Sequence, residues 1–219
     1  MRGFFSIAAF ILAITAFHAE AQTPGTQTAM QLYNRGRDLE AMNRMSEANP
    51  LYNEAVRISL DEVSRNVATR ETYVALIFTM QRQRRFSEVI SWGERGLRAF
   101  PDEYRLVEMM GEAFFYLDDY ERSLAFMQRY THARPEGDRA SIAFFFIGEI
   151  YRLTGRNLHA DIAYTAAVRI DPSVALWWFR LGTVRERAGD RIPAIEAYQR
   201  AIRLNPNHQE ARNGLTRLQ

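Results

Sequence analysis

The sequence predicts an all-α chain of stacked helical hairpins, and three observations carry that prediction. Small and apolar residues recur at a spacing of 34, with Ile147-Gly148 that far ahead of Leu181-Gly182. Gly155, Ala160, Tyr164, Ala167 and Pro172 meet Gly189, Ala194, Tyr198, Ala201 and Pro206 at the same offset. Glycine also returns at 36, 111, 148 and 182 inside stretches of helical periodicity, where it is costly unless another helix crosses close by. Finally, Pro101, Pro135, Pro172 and Pro206 stand where each unit's second helix must stop.

Taken in chain order, the first element is an address. Arg2 precedes an apolar run from Phe4 to Phe17, broken only by Ser6 and Thr15, and the small-residue motif Ala19-Glu20-Ala21 follows. This is the layout of a secretory signal peptide (1–21), with cleavage after Ala21 favoured over a retained anchor because the run is shorter than a bilayer requires. A short linker (22–28) leads to the first copy at 29–62, marked by Gly36, Leu39, Ala48, Tyr52 and Ala55, with Leu60 at the proline position. Pro50 is read near the start of that copy's second helix, where a missing N–H is tolerated. Seven residues, Val63 to Thr69, then break the period, and a longer second helix could absorb them.

The second copy, 70–103, keeps Tyr73, Leu76 and Pro101 but places Ile77 in the glycine position. Gly93 and Gly96 there stand for the aromatic and the alanine, so its second helix is expected to be the loosest. The third, 104–137, carries Gly111 and Pro135, with Met110, Phe114 and Tyr120 apolar and Ser123 in an alanine position. Asp138 to Ala140 are an insertion that a short loop can absorb. The fourth and fifth copies, 141–174 and 175–208, are the clearest: Phe144, Ile147, Gly148, Tyr151, Ala160, Tyr164, Ala167 and Pro172 in one, then Trp178, Leu181, Gly182, Ala194, Tyr198, Ala201 and Pro206 in the other, with Arg185 replacing the tyrosine. Ala211, Leu215 and Leu218 recur at helical spacing in 209–219, a terminal capping helix.

These residues resemble the tetratricopeptide repeat, whose signature is an aromatic, Leu-Gly, Tyr, then Ala, an aromatic, Ala and Pro at fixed spacing. The resemblance implies a right-handed superhelix, or solenoid, of about five helix-turn-helix repeats. It covers nearly all of 29–219 and leaves no room for a separate catalytic domain.

Composition narrows the function. The chain has 219 residues, is 47% hydrophobic and balances 28 basic residues, all arginine, against 26 acids for a net charge of +2. Loss of Arg2 and Glu20 with the signal peptide would leave that balance unchanged. So small an excess, with charges interspersed, argues against nucleic acid, and the tightest basic cluster, Arg82, Arg84 and Arg85, reads as a solvated helix end. Absence of cysteine excludes disulfides, thiolate metal sites and lipidated N-terminal cysteine. No phosphate loop, G-x-S-x-G turn or H-E-x-x-H pair occurs. His132, His159 and His208 fall in three different repeats near helix ends, and Asp118-Asp119 occupy a hairpin turn. Neither catalytic residues nor cofactors are expected.

In the resembling family the first helices line a concave groove for peptides or partner helices. Setting aside the packing positions, that implies a binding surface of Tyr33, Arg37, Phe78, Glu108, Glu112, Phe115, Phe145, Glu149, Arg152, Phe179, Thr183 and Glu186, a mixture of aromatic anchors and acids. Phe115, Phe145 and Phe179 could instead pack between repeats, and both readings stay open on the sequence. Phe144-Phe145-Phe146 and Trp177-Trp178 cannot all face inward, so some rings could mark a self-association patch. The chaperone-carboxylate clamp of some family members is unsupported, because there is no lysine. The resemblance and the signal peptide together imply a scaffold or adaptor for other proteins in a cell-envelope complex, periplasmic or secreted and not membrane-spanning after cleavage. A carrier of a small apolar or peptide-like ligand is the alternative, and an enzyme the least supported reading.

Overall fold

The structure is a computed structural model and describes residues 27–219. The signal peptide, its cleavage point and linker residues 22–26 lie outside the described residues. Within 27–219 there are eleven α-helices and no strand: α1 (Ala29–Ala41), α2 (Met45–Ser64), α3 (Arg70–Arg82), α4 (Phe86–Ala99), α5 (Tyr104–Tyr116), α6 (Tyr120–Ala133), α7 (Ala140–Leu153), α8 (Asn157–Ile170), α9 (Ala175–Ala188), α10 (Arg191–Leu204) and α11 (Gln209–Arg217). They pair as five hairpins, and α11 packs on α9 and α10 as the opening helix of a sixth would. The first helices α1, α3, α5 and α7 also pack on one another in succession, whereas second helices pack only on first helices and, at the end, on α11. A stack held together along one layer curves around it, so the first helices line the inner face.

Local chemistry explains the hairpins. Thr28 opens α1 with a capping box, its hydroxyl accepting from the Gln31 amide at 3.2 Å while the Gln31 side chain accepts from the Thr28 amide at 2.9 Å. Each hairpin turns through a left-handed residue at the same point: Asn43, Arg84, Asp118, Gly155 and Gly189, with φ of 59°, 59°, 58°, 76° and 85°. Only the last two have the residue that takes this conformation without strain.

What meets the helical glycines is a ring more than a backbone. A Cβ built on Gly36, Gly148 or Gly182 would lie 2.5, 2.5 or 2.7 Å from the ring of Tyr52, Tyr164 or Tyr198 on the following helix. Those three tyrosines are among the largest fully buried side chains, and Ala48, Ala55, Ala160, Ala167, Ala194 and Ala201 are fully buried beside them. In α4 the space given up by Gly93 and Gly96 is taken by Met110 and Leu106 of the next repeat.

The two period breaks are absorbed differently. Helix α2 has 20 residues against 14 in each other second helix, with Val63 still on its buried face. Because α2 starts at Met45, Pro50 sits six residues in, past the first turn where its missing N–H would be free; this corrects the placement near the helix start. The insertion at 138–140 lengthens the α6–α7 link to residues 134–139, with Ala140 opening α7, where the inter-hairpin link at 65–69 has five residues and those at 100–103, 171–174 and 205–208 have four.

Candidate functional site

The inner face is built from first helices, and its chemistry begins with the buried tyrosines. A buried phenol needs a partner for its hydroxyl, and each of the three finds a glutamate on the preceding first helix. Tyr52 donates to Glu40 at 2.7 Å, Tyr164 to Glu149 and Tyr198 to Glu186. Each glutamate is then bridged by an arginine from the next unit: Arg82 Nη2 to Glu40 at 2.8 Å, Arg180 Nε to Glu149 at 3.0 Å, and Arg217 Nη2 to Glu186 at 2.8 Å. A Tyr–Glu–Arg chain thus ties a second helix to its own first helix and to the following repeat.

The middle repeats lack that tyrosine, having Gly93 and Met127 at the equivalent positions. Here the inserted link supplies the cation. Arg139 reaches back to α5, where Nε donates to the fully buried Glu108, and Nη2 donates to Glu108 at 3.0 Å and to Glu112 at 2.6 Å. Gln81 adds a bond to Glu112 at 3.0 Å, and the guanidinium lies 5.6 Å from the Phe78 ring centroid. Burial, reinforced by the neighbouring Glu112, pushes the Glu108 carboxyl well above its ordinary value against the pull of Arg139. Burial works against the charge on Arg139, but the two carboxylates hold its pKa raised. At the far end, hydrogen bonding from Arg217 keeps Glu186 low, and burial, with the bond to Glu186, raises the Tyr198 phenol to about 12.

The twelve residues expected to form the binding surface therefore divide. Glu108, Glu112, Glu149 and Glu186 are not free acids, since each lies under an arginine. Tyr33 is buried, 5.6 Å from Phe78 and 6.3 Å from Tyr52 between ring centroids. Phe78 is half-buried beneath Arg139. Phe115 packs edge-on against Phe146 at 5.0 Å, Phe145 stacks on Trp177 at 5.4 Å, and Phe179 rests against His208 at 4.7 Å, so all three make the inter-repeat contacts that were the alternative reading. Thr183 donates to the Phe179 carbonyl at 3.0 Å. Arg152 covers Glu149 at 2.7 Å, and Arg37 is exposed with Asp38 at 3.6 Å. Sequence reading missed Arg82, Arg139, Arg180 and Arg217; the recurrent buried tyrosines, which demand acceptors, were the available signal for three of them, and the period break was the signal for Arg139.

Near its N-terminal end the groove opens into a recess of ≈ 290 Å³ lined by Glu40, Gln81, Arg82, Arg84, Phe86, Glu112 and Tyr116, with Phe86 and Tyr116 stacked at 4.8 Å. His132 and His159 are exposed, and His208 caps α11. Among the described residues no group of three or more His, Asp and Glu could hold a metal ion. Asp118 is the left-handed turn residue and Asp119 the cap of α6, accepting from the Arg122 amide at 3.1 Å.

Residues 142–174 and 175–208 match models of the tetratricopeptide repeat. No curated protein matches the sequence. Among solved structures the chain is similar to YrrB, a TPR protein with an unusual peptide-binding site, at 20% identity over 86% of this chain and 92% of that one, with a TM-score of 0.57. It is similar to MamA at 16% identity over 80% and 96%, with a TM-score of 0.64, and to MamA from Desulfovibrio magneticus RS-1 at 16% over 84% and 98%, with a TM-score of 0.58. The chain therefore carries tetratricopeptide repeats at 142–208, and across its described residues it has the helix-pair solenoid fold of tetratricopeptide-repeat proteins.

Proposed function

We propose that this chain is a non-enzymatic scaffold that holds an extended peptide or helix of a partner protein along the inner face of its solenoid, in the cell envelope or outside the cell. The observation that carries the reading is the continuity of the inner surface. First helices contribute the rings of Phe78, Tyr116 and Phe179 and the guanidinium groups of Arg37, Arg82, Arg152 and Arg180, the α6–α7 link adds Arg139 and α11 adds Arg217, and the groove acids are committed to holding the repeats together. YrrB, of the same fold, has a peptide-binding site, and the same use is proposed here. Export rests on the sequence layout of Arg2, the apolar run and Ala19-Glu20-Ala21; no described helix is long and apolar enough to cross a membrane. Cross-linking in intact cells tests the groove. An Arg180→Ala, Tyr116→Ala variant should lose captured partners that an Ile192→Ala variant, altered on an exposed site of an outer helix, keeps. Equal capture by the two variants rejects the inner face as the binding surface.

A further inference from the structure

The groove has a vertical order that composition hides. In each of its Glu–Arg pairs the carboxylate lies below and the guanidinium above. Side-chain exposures are 26% for Glu40 under 41% for Arg82, 0% for Glu108 and 11% for Glu112 under 25% for Arg139, 8% for Glu149 under 16% for Arg152 and 30% for Arg180, and 20% for Glu186 under 58% for Arg217. Away from the groove the order is not kept: Glu71 is more exposed than Arg105, Glu47 than Arg44 and Glu88 than Arg85. A guanidinium carries five donors in a planar fork; Arg82, Arg139, Arg152 and Arg217 each grip a glutamate through Nε and Nη2, and Arg180 approaches Glu149 through Nε alone, so outward N–H groups are left free on all of them. The carboxylates fix the forks in place, so little ordering is lost when a second anion arrives from the solvent side.

We infer that the groove takes a segment of acidic chemistry, with Asp and Glu side chains along its length meeting the guanidinium forks and apolar side chains falling on Phe78, Tyr116 and Phe179 between them. The inference rests on the groove reading above and specifies its partner. A basic segment has to displace Arg82, Arg139 or Arg180 from carboxylates that are already satisfied. An acidic one adds to them without breaking anything.

Calorimetric titration of the whole chain with three C-terminally amidated synthetic peptides tests this. The peptides share their apolar residues and differ only in having Glu, Ser or Lys between them. The Glu peptide should bind at least about tenfold more tightly than the Ser peptide, the Lys peptide should show no binding, and the preference should shrink as salt is raised. Arg82→Gln and Arg180→Gln should each weaken the Glu peptide about fivefold or more. Glu40 keeps Tyr52 and Glu149 keeps Tyr164 and Arg152 in these variants, and unchanged helical circular dichroism reports that the stack persists. Arg82→Lys and Arg180→Lys should keep the preference for Glu over Lys. Equal binding of the Ser or Lys peptide overturns the acidic partner while leaving the groove reading to the cross-linking result. Binding restored only by a free C-terminal carboxylate overturns it in favour of chain-end recognition, and binding of none of the three overturns it outright.

Discussion

Replacing Arg139 with alanine removes the guanidinium that covers Glu108 and Glu112, and the consequences can be worked from the geometry. Glu108 is fully buried and receives two of the guanidinium's bonds, while Glu112 receives a third at 2.6 Å. Breaking one partner from a buried ion pair costs about 3–5 kcal/mol, because the remaining charge is left without solvent or a counterion. Arg139 is itself a quarter exposed, and Glu108 can take up a proton, so the lower end of that range, about 3 kcal/mol, applies. For a chain of this size that is a fall of about 6–12 °C in the unfolding midpoint. The pH dependence follows from the direction of the Glu108 shift. A carboxyl whose folded pKa is raised contributes stability that is fully present below its unfolded value and is lost as pH rises through the folded value. Loss of Arg139 raises that folded value further, so the deficit of Arg139→Ala relative to wild type should grow from pH 5 to pH 8. Adding Glu108→Gln should then restore more than half of the loss at pH 8, since the buried charge is gone. Thermal melts followed by circular dichroism at the two pH values measure all of this. A variant that melts with wild type at pH 8, or a double variant no more stable than Arg139→Ala, would refute the buried-pair account.

Three further outcomes are expected. Gly148→Ala puts a methyl 2.5 Å from the Tyr164 ring and should cost about 1–3 kcal/mol, whereas Gly155→Ala meets no atom and carries only the strain of φ 76°, about 1 kcal/mol; denaturant melts that reverse this order would contradict the ring-against-glycine contact. Phe145→Ala removes a ring stacked on Trp177 and should shift tryptophan fluorescence to longer wavelength while lowering the midpoint; an unchanged spectrum would mean the two rings are not in contact. Glu186 is held below its ordinary value by Arg217, so the stability it lends is present above the unfolded carboxylate pKa and is lost as pH falls through the folded one. Hydrogen-exchange protection in α11, corrected for the intrinsic pH dependence of amide exchange, should therefore fall on acidification before protection in α5 does.

Helix pairing was legible because it depends on residue size at fixed intervals. Gly148 with Tyr164 and Gly182 with Tyr198 stand in the same relation in sequence and in space, and the small residue and the ring that fills its place are encoded within one repeat. The site was less legible because its polarity is decided between repeats. Nothing in the order of letters distinguishes a solvated Glu112 from one beneath a guanidinium 27 residues further on. Aromatic residues pose the same difficulty: Phe145 occupies a groove position by register, yet its ring is committed to Trp177 on the first helix of the next repeat.

The insertion before α7 shows where information about such a surface concentrates. Strict copies of the unit would give the third repeat the same tyrosine that satisfies Glu40, Glu149 and Glu186, but Met127 stands there and offers no hydroxyl. Glu112, at the register of Glu149, then has no phenol from its own hairpin, and Glu108, fully buried one turn earlier, has no donor from that hairpin either. The six-residue link supplies one from the next, with Arg139 positioned by the bond from its amide to the Tyr130 hydroxyl at 3.3 Å and by Gly137 packed against that same hydroxyl. A departure from the period thus compensates a departure from the consensus. It does so by setting a cation in the middle of the groove, over Phe78 and between the aromatic residues of its two halves. In a repeat protein the regular positions make the stack, and the irregular ones distinguish one groove from another.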